Sequence, residues 1–463
     1  MLNLPTKCYF LNISGHFYPF FFNTTYRMVA FAAVSFAEGI TFGAWLRALA
    51  APVASDGDET ITQGGNSWGG SARTARINVT AVAPDGNAGF NMGVYNDMDM
   101  ALTAGDEANL WVKPLDMIKV SYGKYDNNTL RGDLCYGSWN WARPSAWIAG
   151  DEGLLMSGNG AKGLMVEATP MENLYIQAMV PILSTPVKAG GTYKNLRGGF
   201  KYTVPSLLNI KGQYIGSGAV AASDEEKAEM ETKLAAATTD AEIAKAQLAL
   251  LKADGSSDST LEAEVDVLAV EGLFAGVGFQ YNIVKDASDI SELEEEAAVA
   301  ALDAATTAKE ILSATKDLYN AGYLKNQMKI ALGASYQVMP ELKVSASGAF
   351  FTYYKCGDVK VDPRFQAGAG VDYDLGDGLA VNADFRYVSP IKIDGEKADN
   401  TDHIAFSVGV QKSVSSNGYI GVAFQGVTNS GNLGPINGAW NDDFESKPKN
   451  FVWAIPVALS VWF

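Results

Sequence analysis

The chain has 463 residues, 48% of them hydrophobic, with 52 acidic against 35 basic residues and a formal net charge of -17. Mean hydropathy is close to zero and no run approaches the roughly 18 to 20 apolar residues that a spanning helix needs, which excludes a helical membrane protein. No basic stripe with interleaved aromatics supports nucleic-acid binding. A soluble protein and a transmembrane β-barrel remain, because barrel strands place only alternate residues in lipid and keep an average composition.

At the N-terminus, residues 28–37 (MVAFAAVSFA) form a short apolar segment after Arg27, with the small residues Ser35 and Ala37 flanking a cut before Glu38. Residues 1–37 therefore read as a secretory signal peptide. Residues 1–27 are aromatic-rich with only Lys7 and Arg27 as cations, as if the start codon were placed too far upstream. Residues 38–463 are the expected barrel.

From Glu38 onward, alternating segments are punctuated by eight short turns, at 84–87, 114–116, 170–173, 205–207, 270–272, 339–341, 376–378 and 415–418, most of them with Pro or Gly. Nine longer connections lie between, at about 50–72, 97–107, 126–160, 183–193, 217–260, 285–325, 355–363, 389–400 and 428–448. Turns and loops alternate and join eighteen strands, so all short turns fall at one end. That is the parity of outer-membrane barrels, with short periplasmic turns and long extracellular loops. The expectation is an all-β, antiparallel transmembrane β-barrel of about 18 strands in the bacterial outer membrane.

Loop 126–160 stands out for its length and for Arg131, Trp139, Trp141, Arg143 and Trp147 in a Gly-rich context. Loops of that length without regular structure are usually functional. Folded inward it would narrow a pore and offer hydrogen bonds and ring faces to polar or sugar-like solutes; folded outward it would pack on the rim.

The stretch 221–325 carries 22 acidic against 8 basic residues and so holds most of the negative charge. Within 223–253, Met230, Leu234, Ala237, Ala241, Ala244, Leu248 and Leu251 recur at helical spacing behind a Ser223/Glu226 capping box. Within 289–320, Leu293, Ala297, Ala300, Ala304, Thr307, Ile311, Ala314 and Leu318 repeat the spacing. Two Ala-rich helical insertions are expected to form an antiparallel extracellular pair, each helix about 40 Å long at about 1.5 Å per residue.

Strand alternation is clearest toward the C-terminus. Ile404, Phe406, Val408 and Val410 oppose His403, Ala405, Ser407 and Gln411, and in 451–463 every odd position from Phe451 to Phe463 is apolar or aromatic. A soluble barrel of this size could not fill its interior with side chains, whereas apolar-out, polar-in leaves a water-filled lumen. The expected pore-lining residues are Arg47, Arg76, Lys119, Arg197, Lys201, Lys211, Lys343, Arg364 and Arg386. The inward acids placed from sequence are Glu264, Asp266, Asp372 and Asp384, which predicts weak anion preference.

The start 38–45 (EGITFGAW), the hairpin 110–126 (LWVKPLDMIKVSYGKYD) and the terminal Phe463 resemble spirochaete, particularly treponemal, porin-like surface barrels. The resemblance covers the barrel strands and not the acidic insertions. It implies a porin or surface protein and no catalytic residues. Asp372, Asp374 and Asp377 echo a calcium loop but lack its distal Glu, and read as a polar turn. After the signal, Cys135 and Cys356 are the only cysteines and His403 the only histidine, too few for a metal site or a disulfide framework but enough for a single Cys135–Cys356 bridge. No cofactor and no enzymatic activity are expected. The function read from sequence is passive diffusion of small hydrophilic solutes or ions, with lipid as the surrounding partner and a homo-oligomer by analogy. The alternative is a structural, adhesin-like barrel whose loops bind partners.

Overall fold

The computed structural model describes residues 39–55, 59–65, 73–97, 102–125, 129–132, 141–142, 156–157, 160–182, 189–306, 326–397, 401–430 and 449–463. The expected signal peptide, Cys135, Trp139, Arg143 and Trp147 lie outside them. The first half of the wall comprises β1 (Ile40–Ser55), β2 (Thr60–Gly65), β3 (Arg73–Val82), β4 (Ala88–Asp97), β5 (Leu102–Leu115), β6 (Ile118–Tyr125), β7 (Ala161–Met171), β8 (Leu174–Val180), β9 (Arg197–Val204) and β10 (Leu208–Ser217). It continues through β11 (Asp258–Val267), β12 (Leu273–Ile283), β13 (Asn326–Met339), β14 (Leu342–Tyr353), β15 (Arg364–Gly376) and β16 (Leu379–Val388). After a loop hairpin, β17 (Lys392–Ile393) with β18 (Glu396–Lys397), it ends in β19 (His403–Ser415), β20 (Gly418–Ser430) and β21 (Lys449–Trp462).

Each wall strand pairs antiparallel with its sequence neighbour, and β21 returns to β1 in register from Trp45↔Trp462 to Ser55↔Trp453. One edge of β1 is shared. Its first half pairs with β3 and its second half with β2, so these two segments occupy one wall position and the closed barrel has eighteen strands. The eighteen strands expected from turn parity are the eighteen observed.

Two of the nine expected long loops are short. β1 runs on to Ser55 and β2 starts at Thr60, and β4 reaches Asp97 before β5 begins at Leu102. The composition hid these strand ends for a physical reason: Pro52 and Gly105 sit in register shifts, between Ala50 and Val53 on β1 and opposite the Met92–Val94 irregularity of β4. A bulge is where a strand tolerates a residue that reads as loop.

The acidic insertions also differ from expectation. In place of one helix over 223–253 there are two, α2 (Asp224–Ala236) and α3 (Asp240–Ala253), after the short α1 (Ala189–Lys194) of an earlier loop. The break is encoded by a second capping box, in which Thr239 receives the Glu242 amide and the Glu242 carboxylate receives the Thr239 amide. The second insertion forms α4 (Ala287–Ala304), which ends in an extended Ala305; the expected continuation to 320 lies largely outside the described residues. The helices of 13 and 14 residues are therefore about 20 Å long, half the expected span. α3 packs antiparallel between α2 and α4, tied by Lys227 to Asp254 (2.7 Å) and Lys252 to Glu294 (2.7 Å). All three stand at the long-loop end of the barrel.

The outward positions carry the apolar residues. Leu110, Leu332, Phe365, Phe385, Val408 and Leu459 are all exposed, and Phe406, Phe424, Phe451 and Trp453 stack across β19 to β21 with centroids 5.9 to 6.2 Å apart. The alternate positions Val452, Ala454, Ala458 and Ser460 of β21 are buried inside.

Replacing Val457, on the outward face of β21, by Arg is expected to cost about 2 to 4 kcal/mol near the bilayer midplane and to deplete folded barrel in heat-modifiability gels. Deleting residues 224–253 should leave the folded band intact, and the reverse result would place α2 and α3 in the wall. A second expectation concerns pH. Backbone and hydroxyl hydrogen bonds from Thr238 and Thr239 hold the Glu242 carboxyl below its usual range. A depressed folded pKa stabilises above the unfolded value of about 4.3 and is lost as pH falls through the folded one. Amide exchange at the start of α3 should accelerate on that acid side and not between pH 6 and 8.

Candidate functional site

The candidate site is the lumen. Period-two alternation directs Asn91, Asn109, Ser121, Gln177, Gln213 and Asn382 inward on six different strands, so the interior is polar where the exterior is apolar. A closed wall leaves no unpaired strand edge, and with an apolar exterior this is a β-barrel of the bacterial outer membrane.

The basic residues expected to line the pore sit on the inward face, and most are engaged. Lys119 pairs with Glu167, its direct register partner, at 2.8 Å. Arg76 reaches Glu107 at 3.6 Å and donates to the Tyr95 hydroxyl at 3.4 Å. Arg386 grips Asp384 through Nε (3.1 Å) and a terminal nitrogen (3.0 Å) and is fully buried. Arg47 lies 4.3 Å from the Trp45 ring centroid. Arg197 donates to the Gly160 carbonyl at 3.0 Å, and Arg364 to the Ser389 and Thr401 carbonyls at 2.6 and 2.5 Å. Lys343 stands opposite Asp372, and Lys201 opposite both Lys211 and Tyr175.

Lys211 is the centre of a denser arrangement. Its ammonium is 3.1 Å from Glu264 and 3.3 Å from Asp266, all three side chains nearly inaccessible to solvent, and it donates to the Arg131 carbonyl at 3.4 Å. One step along β11, Glu262 accepts from the Ser157 amide (2.9 Å) and hydroxyl (2.9 Å), from Gln280 (2.7 Å) and from Gln213. Arg131 and Ser157 belong to the loop between β6 and β7. That loop therefore turns into the barrel and is fastened to β10 and β11 by charge-assisted hydrogen bonds, which are about twice as strong as neutral ones.

Trp141 fastens the same loop elsewhere. Only 1% exposed, it packs among Leu49, Ala51, Ala423, Ala454 and Ala458, stacks on Tyr419 at 6.5 Å, donates from Nε1 to Gln411 (2.9 Å) and accepts at its carbonyl from Gln425 (3.2 Å). These partners are on β1 and β19 to β21, about half the circumference from β10 in the strand order. Gly421 makes the seat, since a Cβ there would overlap the indole ring, just as one at Gly199 would meet Leu130. The described residues of loop 126–160 are thus anchored on both walls. Of its five candidate residues, Arg131 and Trp141 are brought to opposite walls; the other three lie outside the described residues.

Among the inward residues that sequence reasoning missed are the acids Glu107, Glu167 and Glu262 and the base Lys329. Glu262 was legible: in 258–267 (DSTLEAEVDV) it shares parity with Glu264 and Asp266. With those acids counted, the inward basic excess is smaller than the sequence list implies. Cys356, in the connection after β14, donates from Sγ to Glu295 at 3.2 Å.

No family model and no curated protein sequence matches the chain. Solved structures similar to it include the outer-membrane expressed OmpT of Vibrio cholerae, at 12% identity and a TM-score of 0.46 over 92% of this chain and 97% of that one. Another is a refined porin structure, at 10% identity and a TM-score of 0.42 over 92% and 100% of the two chains. A mutant porin of Rh. blastica is similar at 14% identity, with a TM-score of 0.41 and the same coverage.

Trp141→Ala removes a buried anchor at a cost of about 3 to 5 kcal/mol, and Glu262→Ala leaves several buried donors unpaired at about 1 to 3 kcal/mol each. Each should release its anchor, read as faster amide exchange at the described loop residues in the folded barrel. Unchanged exchange in both would mean that these contacts do not hold the loop.

Proposed function

We propose that the protein is an outer-membrane porin through which small hydrophilic solutes and ions diffuse passively. The observation that carries this reading is the loop pinned by Trp141 to one wall and by Ser157 and the Arg131 carbonyl to the other. An eighteen-stranded wall encloses more space than its own side chains fill, and a loop anchored on both walls narrows that space. The first outward residues of the barrel remain apolar while the charged ones stay inside, so a solute meets paired charges and polar amides along its path. No group in this arrangement is asked to break a bond, and the reading is non-enzymatic. The start at 38–45 and the hairpin at 110–126 support a spirochaete, treponemal affinity.

Selectivity follows from lumen size and charge. The basic residues named above, with Lys329, exceed the inward acids Glu107, Glu167, Glu262, Glu264, Asp266, Asp372 and Asp384 only slightly, which favours a weak preference for anions. A second reading, a surface barrel whose loops bind partners with conduction incidental, is favoured by the three packed helices at the long-loop end.

Planar-bilayer recording separates the two. Discrete conductance steps with reversal potentials indicating modest anion preference are expected, and Arg197→Glu combined with Lys201→Glu should move the reversal potential toward cations. Folded protein that inserts without conducting would leave the surface-barrel reading; a silent double variant would place those two residues off the ion path.

A further inference from the structure

The three helices at the long-loop end create two grooves of similar size, one of mixed charge and one acidic. Between α2 and α3 a recess of about 500 Å³ is lined by Met230, Ala246 and Ala249 together with Lys233, Lys245 and one acid, Glu242. Between α3 and α4 a second recess of about 500 Å³ has an apolar floor of Ile243, Ala244, Val299 and Ala300, and Val299 is 40% exposed. Its rim carries Asp240, Glu292, Glu295, Glu296 and Asp303, with no lysine or arginine among the lining residues.

Glu292, Glu296 and Asp303 recur on one face of α4 at helical spacing, with Glu295 and Val299 between them, so the acids and the floor belong to one stripe. Like charges four residues apart destabilise a helix, and α4 also begins without a side-chain cap, at an Asp286 in the left-handed region. Lys252 pairs with Glu294 at one end of the helix pair, and the described lining of the groove holds acids and no lysine or arginine. Its length is set by α3, 14 residues or about 21 Å. An apolar floor with carboxylates concentrated along the α4 side is the complement of a helix with one apolar stripe and Lys or Arg on the flank that meets α4.

We propose that the α3–α4 groove docks a cationic amphipathic helix of about four turns from a partner peptide or protein. Its apolar stripe would cover Val299 and Ile243, and its cations would meet Glu292, Glu296 and Asp303. The groove stands outside the barrel wall, so this surface operates independently of conduction through the lumen.

The test uses the full barrel in neutral detergent, with fluorescence anisotropy of a fluorescein-labelled 14-residue Leu/Lys amphipathic peptide and micelles alone as the blank. Saturable, salt-sensitive binding is expected. A peptide of the same composition scrambled to break its Leu stripe, and a Glu-for-Lys counterpart, should each bind at least about tenfold more weakly, the scale of losing charge or shape complementarity. The triple substitution Glu292→Gln, Glu296→Gln, Asp303→Asn should weaken binding to a similar degree, while Lys233→Gln with Lys245→Gln in the other groove should not. Single-channel conductance of the triple variant should match the unsubstituted protein, which keeps this inference and the porin reading separately falsifiable. No binding, equal binding of the scrambled peptide, or full binding by the triple variant would overturn the proposal.

Discussion

The structure depends on one constraint: in hydrocarbon no water is present to pair a backbone amide or carbonyl, so the sheet must close on itself. The closing seam shows how completely this is met. Beyond the β1–β21 ladder, the Ala44 amide donates to the Phe463 carbonyl at 3.0 Å, the Phe463 amide donates to the Ala44 carbonyl at 2.8 Å, and the Trp462 amide donates to the Asn417 carbonyl at 3.0 Å. The last residue of the chain is thereby tied to the first strand, and the outward apolar face of β21 completes the belt that faces lipid. Every other feature is arranged around this closed wall.

Closure at eighteen strands creates the second problem, an interior too wide for side chains to fill. Two devices answer it. Charged residues are paired across the wall, as in Lys119 with Glu167 and Lys211 with Glu264, which are direct register partners and so need no long reach. A loop then enters the space and is held at both sides. The two anchors differ in physics: at Ser157 the loop is held by a carboxylate with four donors, and at Trp141 by apolar packing in a patch of alanines made shallow by Gly421. Buried charge at one side and aromatic burial at the other fix the loop's direction across the lumen.

At the opposite extreme of the molecule, the helices owe little to the barrel. They are held by two capping boxes, two lysine–carboxylate bridges and small-residue packing at Ala244 and Ala298. Short strand extensions at β1–β2 and β4–β5 stand on the same end, so the long-loop face is built from regular elements rather than from irregular chain alone.

The sequence by itself determined strand number, parity and which face meets lipid, because period-two alternation and turn residues are local properties that a closed wall does not alter. It also encoded the helix start at Ser223 and, in Thr239 and Glu242, the break that the longer Ala seam concealed. Where strands bulge, at Pro52 and Gly105, residue type misled, since a bulge is a pairing defect that only the neighbouring strand defines. The pore-lining basic residues were legible from parity, but their partners were not: Arg76 meets Glu107, and Arg386 folds back on Asp384 within its own strand. The direction of loop 126–160 was beyond sequence altogether. Trp141 finds its seat on strands some 270 residues later in the chain, as in its bond to Gln411, and such a contact exists only once closure has brought β19 to β21 around to β1.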